Sequence, residues 1–222
     1  NNMPIPKTIH QVFGVLGDGK ITTFPVYVKH VMKTKKFCKK HNYQHKLWNL
    51  IECVNLIEEH YPQYMSLWRS FRFDIQRADF IRYLILHKYG GMYIDCDVSP
   101  AKCLDTLLEG DVIFTKWSND KKSLPYNAVM GTVPNSPLFA KIAQEVEKST
   151  IRCQSMPIYN TWKGRLVFQT TGHYMLKRVV PASNVLDLLW VVNPDKKIDV
   201  CSPDYYFHDS NASIWYKDFT KK

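Results

Sequence analysis

The clearest hydrophobic rhythm in the chain lies between residues 74 and 89. There Ala78, Ile81, Ile85 and Tyr89 recur at helical spacing, and Gly90-Gly91 interrupt the pattern. A helix closed by a diglycine turn is the prediction. Next comes the apolar run Met92-Tyr93-Ile94, which predicts a buried strand over residues 92–97. Strand side chains alternate between faces, so Asp95 and Asp97 should share one side at the strand's end, with Cys96 opposite.

The same reading assigns the rest of the chain. Ile9-His10-Gln11-Val12-Phe13, bounded by Pro and Gly, predicts a buried first strand, and residues 25–41 a helix. Residues 43–48 alternate as a second strand, and 51–68 form a helix broken at Pro62. Strands are predicted at 112–116 and 128–133, and a helix at 137–148. Beyond Thr150 the pattern loosens to a helix near 174–179, a strand near 190–193, and an aromatic, polar tail over 205–215. Alternating strands and helices imply an α/β fold with a mainly parallel, twisted sheet flanked by helices. Ligands of such sheets bind at the carboxyl ends of the strands, where Phe13, Asp95 and Asp97 fall.

Composition narrows the partners. A chain of 222 residues, 45% hydrophobic and 14% aromatic, fits one folded domain and excludes a disordered one. No apolar run reaches the length of a membrane span, and the first residues lack a secretory signal's apolar region. The net charge of +10 admits nucleic acid, an anionic membrane surface or a polyanionic substrate. Much of that excess is local, with Lys29, Lys33, Lys35, Lys36, Lys39 and Lys40 on one predicted helix, where a solvated face explains them equally well. The six cysteines contain no C-x-x-C pair, so zinc and dithiol chemistry lose their usual support. Free thiols in a reducing, cytoplasmic setting are the simplest account. A Golgi or secretory lumen is the alternative if an N-terminal anchor precedes the chain.

The candidate chemistry centres on the Asp95/Asp97 pair. Adjacent carboxylates repel and call for a cation, and hard oxygen ligands suit Mn²⁺ or Mg²⁺, which bridge phosphate oxygens. A D-x-D tripeptide alone is weak; the preceding helix, diglycine and strand sharpen it. Asp79 and Arg82 stand three apart on one helix face, and spacing alone favours an ordinary ion pair over contacts to a sugar. Phe13 reads as core or as a platform for a nucleobase, and His10 as a core histidine. His208, Asp209 and Ser210 lie in a polar stretch to which spacing assigns no role.

Three segments together resemble glycosyltransferase family 32: residues 5–11 (IPKTIHQ), 77–83 (RADFIRY) and 89–97 (YGGMYIDCD). They are similar also to the core of the glucosylating bacterial toxins. Weaker echoes follow at Asn127-Ala128-Val129-Met130, Thr170-Thr171-Gly172 and Ser213-Ile214-Trp215. The resemblance implies a GT-A fold, with a nucleotide-sugar-binding part over about 1–115 and an acceptor side and closing tail over about 116–222. It implies retaining transfer of a hexose or N-acetylhexosamine from a UDP- or GDP-sugar, with Mn²⁺ or Mg²⁺. The acceptor would be a glycan, glycoprotein or glycolipid. By position, Phe13 would stack on the base, and Asp79 and Arg82 would hold ribose or sugar, with Asn127 shaping the sugar pocket. Asp97 would bind the metal directly and Asp95 would contact the metal through water or the ribose and sugar, with His208 a further ligand, and Ser213 and Trp215 would meet the diphosphate. Two departures stand out: His173 follows Gly172 where relatives carry Pro, and Phe13 stands where relatives often carry Trp.

Two other classes compete. A haloacid-dehalogenase-like phosphatase would use Asp95 as nucleophile, but that motif usually lies on the first strand, ahead of Gly-Thr. A nucleic-acid-binding domain fits the charge, yet the carboxylate pair would repel phosphate without a metal, so no nucleic acid is expected.

Overall fold

The computed structural model describes residues 4–16, 24–116, 124–186, 189–192 and 205–210, with only the backbone path for 189–192, 205, 208 and 209. Its strands are β1 (Thr8–Val12), β2 (Gln44–Trp48), β3 (Gly91–Ile94), β4 (Val98–Pro100), β5 (Val112–Lys116), β6 (Pro125–Thr132), β7 (Leu189–Val192) and β8 (Tyr205–Asp209). The central sheet has the order β2-β1-β3-β6-β5. β1 runs parallel to β2 and β3, whereas β6 is antiparallel to both β3 and β5, so β6 alone is reversed. This is the mostly parallel, helix-flanked sheet of a GT-A fold. A small second sheet, β4-β8-β7, stands beside it.

The helices are α1 (Pro25–His41), α2 (Leu50–His60), α3 (Met65–Ser70), α4 (Asp74–Tyr89), α5 (Pro137–Cys153), α6 (Ile158–Thr161), α7 (Lys163–Thr170) and α8 (His173–Val179). Local chemistry explains their ends. Pro25 and Pro137 open α1 and α5, where a missing N–H leaves no gap in the helix ladder. Asn49 and Glu52 form a reciprocal cap on α2. At the start of α4, Oε1 of Gln76 accepts from the N–H groups of Arg72 and Phe73.

Gly90 and Gly91 leave α4 with φ of 63° and 88°. A Cβ at Gly91 would meet the Thr8 carbonyl oxygen at 2.6 Å. Only glycine lets β3 lie this close to β1 immediately after a helix.

Both sheet faces are covered, as a buried parallel sheet requires. One core joins Tyr93, Phe114 and Met130 to helices α2, α4, α5, α7 and α8. The opposite core joins Ile9, Met92, Ile94 and Ile113 to Phe37 of α1 and Phe207 of β8. α4 is buried over nearly all of Ile75–Leu86, which is why its apolar residues do not confine themselves to a stripe. Tyr89, expected on the buried face, is 42% exposed.

Other expectations shift at their edges. The helix predicted at 137–148 continues to Cys153, and the strand predicted from 128 begins at Pro125. β4, α6 and α7 carried no clear sequence signal. The predicted strand over 92–97 stops at Ile94, and Asp95, Cys96 and Asp97 form a turn closed by a 3.0 Å bond from Val98 N–H to the Asp95 carbonyl. The two carboxylates are therefore held by a turn between β3 and β4, not by strand alternation.

Candidate active site

The turn opens into a cleft walled by the end of β1, α4, β6 and the α7–α8 junction. Phe13, Asp79, Arg82, Asp95, Asp97 and Asn127 all line it. Six site residues expected from sequence, spread over more than a hundred positions, thus meet in one place.

Asp95 is fixed first. Its Oδ1 accepts from Arg82 Nη1 at 2.8 Å and from the Tyr93 hydroxyl at 2.9 Å. Alternation works this far, since Tyr93 and Asp95 share a face of β3 and its extension. Burial pushes the Asp95 carboxyl above its ordinary range, opposed by Arg82 and by the hydrogen bonds from Tyr93 and Arg82. Both protein donors reach Oδ1, which leaves Oδ2 for a ligand.

Arg82 is itself buried and fully engaged. Its Nε donates to the Ala78 carbonyl at 3.1 Å, Nη1 also reaches the Asn127 carbonyl at 3.0 Å, and Nη2 lies 3.4 Å from Asp79 Oδ1. The guanidinium sits over the Tyr93 ring, 4.5 Å from its centroid. Burial opposes its charge, but Asp95, Tyr93 and Asp79 outweigh that and hold it protonated.

Asp79 completes the network. Asn127 Nδ2 donates to its Oδ1 and Thr171 Oγ1 to its Oδ2, both at 2.9 Å. Burial pushes the Asp79 carboxyl up to about 6, held back by Arg82 and by the bonds from Thr171 and Asn127. The second Asn127 N–H meets the Tyr83 hydroxyl, which donates to the Thr171 carbonyl at 2.6 Å. A continuous polar network therefore locks α4, β3, β6 and the α7–α8 junction together. The ion pair expected from the i,i+3 spacing is present, embedded in a larger constellation.

The other wall is aromatic. Phe13 packs edge-on against Phe24 and Tyr27, with ring centroids 5.8 and 5.6 Å apart. Burial, followed by the negative charges of Asp97 and Asp95, raises the Tyr27 hydroxyl's pKa, which places this ring beside the carboxylate turn. Across the cleft His173 and Phe168 pair at 4.3 Å, and burial pulls His173 down to about 4, so it is neutral at pH 7.

Among the described residues no cluster of three His, Cys, Asp or Glu side chains can enclose a metal. The donor set is two carboxylates beside an open cleft. That set fits Mn²⁺ or Mg²⁺ whose remaining positions are taken by water and substrate phosphates, and does not fit a closed protein cage.

His208 pairs by backbone with Ser99, and its side chain lies outside the described residues, as do Ser213 and Trp215. Ser210 donates both its N–H and its hydroxyl to the Asp97 carbonyl at 3.0 Å, which ties the end of β8 to the carboxylate turn. His10 is the core histidine expected: Trp48 N–H donates to its Nδ1, so Nε2 carries the proton toward the Gly90 carbonyl. Tyr27, Tyr93, Tyr126 and Phe168 also belong to the site, and local sequence pattern gave no sign of them.

Residues 28–114 match the family model for the glycosyltransferase sugar-binding region containing the DXD motif. Over that span, under half of its length, the chain is similar to this glycosyltransferase family. Mannosyl phosphorylinositol ceramide synthase CSH1 of Saccharomyces cerevisiae is 35% identical over 64% of this chain and 35% of its own length. Inositol phosphoceramide mannosyltransferase 3 of Schizosaccharomyces pombe is 31% identical over 96% of this chain and 56% of its own length. The chain thus spans between about a third and just over half of the length of these curated relatives. The solved structure titled PaToxG Glycosyltransferase superposes with a TM-score of 0.52 at 14% identity, over 80% of this chain and 69% of that one, a likeness of fold.

Proposed function

We propose that this domain transfers a hexose, mannose by analogy with its relatives, from a nucleoside-diphosphate sugar to a hydroxyl of a glycolipid headgroup. The observation that carries the reading is the turn at Asp95–Asp97, with Asp95 pinned by Arg82 and Tyr93 between the aromatic wall and the buried Asp79.

The roles follow from position. Phe13 and Tyr27 offer ring faces to the nucleobase. Asp97 and Oδ2 of Asp95 would hold Mn²⁺ or Mg²⁺, which when bound neutralises charge building on the departing diphosphate. Asp79 faces the cleft from α4 and orients sugar hydroxyls, its two oxygens fixed by Asn127 and Thr171. Arg82 works at one remove, as a positioning residue that holds Asp95 and Asp79 in register.

Retention of anomeric configuration is part of the reading. The carboxylates nearest the sugar subsite, Asp79 and Asp95, are each tied to an arginine and neutral donors. A front-face attack, with the leaving phosphate drawing the proton from the acceptor hydroxyl, needs no protein nucleophile. His173 and Phe168 stand on the acceptor side, where an uncharged imidazole can accept from a sugar or inositol hydroxyl.

A panel of GDP- and UDP-sugars with Mn²⁺, scored by thermal stabilisation, tests the reading, because the cognate donor binds the native state alone. Asp97→Asn should abolish the Mn²⁺-dependent stabilisation while melting like wild type in buffer. Wild-type donor binding and turnover by Asp97→Asn at the same Mn²⁺ concentration would sink the assignment.

A further inference from the structure

Residues 148–186 contain six Lys or Arg and no Asp or Glu. Five of the nine large hydrophobic side chains exposed among the described residues fall within this stretch: Ile151 at 73%, Ile158 at 53%, Trp162 at 50%, Met156 at 43% and Tyr174 at 38%. The exposure is built in. Cys153, Tyr159 and Leu166 alternate with these residues and bury themselves against Phe73. Arg72 fastens the segment from outside, donating to the Gln154 carbonyl at 3.3 Å and to Asn160 Oδ1 at 2.9 Å. A chain held this firmly presents its apolar side chains outward by design of the fold, not by fraying.

Basic groups frame the apolar ones. Arg152, Lys163, Arg165 and Lys177 are all exposed, and the Arg165 guanidinium lies 5.2 Å from the Trp162 ring centroid. Arg178 is matched by Glu145 just outside the stretch. An exposed Trp and aliphatics ringed by Lys and Arg, in a stretch without Asp or Glu, is the chemistry of a surface that lies in the headgroup layer of an anionic bilayer. The lysine face of α1 is different: it has charge, but Met32 is its only exposed large hydrophobic residue.

We propose that the lip formed by residues 151–174 is a membrane-contact surface for anionic phospholipid bilayers. The same stretch supplies Phe168, Gly172 and His173 to the cleft wall, and the Phe168 ring lies 6.1 Å from that of Tyr174. Seating this lip on a bilayer brings the acceptor side of the cleft to the membrane surface. The inference stands on surface chemistry and goes beyond the transfer reaction, whatever sugar is moved.

The test is co-sedimentation of the purified protein, without donor or metal, with vesicles of phosphatidylcholine alone or mixed with phosphatidylglycerol. Wild type should pellet with the mixed vesicles and much less with phosphatidylcholine. Ile158→Ser/Trp162→Ser, and separately Lys163→Glu/Arg165→Glu, should each weaken that binding about tenfold or more without changing the melting temperature, since all four side chains are exposed. Lys35→Gln/Lys36→Gln on α1 should stay within about twofold of wild type. Equal binding by the lip variants, or a loss confined to the α1 variant, overturns the proposal. So does a wild type that ignores vesicles and instead self-associates through Trp162.

Discussion

Arg82→Met is the most informative single perturbation. It removes a guanidinium that donates to Ala78, Asp95 and Asn127 and contacts Asp79, while keeping most of the side chain's volume. Two largely buried carboxylates are then left without their cation. Breaking a buried ion pair on one side costs about 3–5 kcal/mol, because the abandoned charge cannot return to water. For a domain of this size that corresponds to a fall in Tm of roughly 10 °C at pH 7.

The sign of the pH dependence follows. Without Arg82 both carboxyls have folded-state pKa values further above their unfolded values than in wild type, where burial already raises each. An acid with a raised pKa favours the fold at low pH, and that advantage disappears as pH rises through the folded value. The gap between wild type and variant should therefore narrow between pH 7 and pH 5. Urea unfolding followed by circular dichroism at both pH values measures it. Arg82→Lys, which keeps the charge but loses the planar fork, should fall between the two. Asp79→Asn/Arg82→Met should recover part of the loss, because one stranded charge is gone. A loss below about 1 kcal/mol, equal at both pH values, would refute the reasoning, since that is the worth of an exposed pair.

Phe13→Ala should weaken donor binding by about 1–3 kcal/mol, roughly five- to 150-fold in Kd, and Phe13→Trp should retain affinity; titration calorimetry with the cognate nucleotide measures both. Burial pulls His10 down from its ordinary 6.5 to about 4, so its contribution is intact above pH 6.5 and is lost as pH falls toward 4. That loss is up to about 3 kcal/mol, and His10→Gln should flatten the acid limb of a stability–pH profile. Gly91→Ala forces a Cβ to 2.6 Å from the Thr8 carbonyl at a φ of 88° and should destabilise by about 3 kcal/mol in urea melts.

Much of the frame was legible because it depends on neighbours in sequence. The Ala78/Ile81/Ile85 period, the diglycine stop and the apolar strand each report a local geometry, and the structure has α4, its positive-φ glycine exit and β3 where those signals lie. Asp79 and Arg82 were likewise expected to share a helix face. Tertiary structure decided what that pair does. Asn127 and Thr171 are 48 and 92 residues from Asp79, and no periodicity announces that each donates to one of its oxygens. The carboxylate pair shows the same division. Its residues were plain in the sequence, but its geometry was not, because the Val98 N–H closes a turn where alternation alone would extend a strand. The outward Trp162 and Ile158 acquire meaning only once Tyr159 and Leu166 are seen packed beneath them. The sequence by itself determined the elements and the candidate chemistry, since both are set within a few residues along the chain. Only the fold decided which charges meet, which are shielded, and which faces are left to a partner, since those depend on distances that folding alone creates.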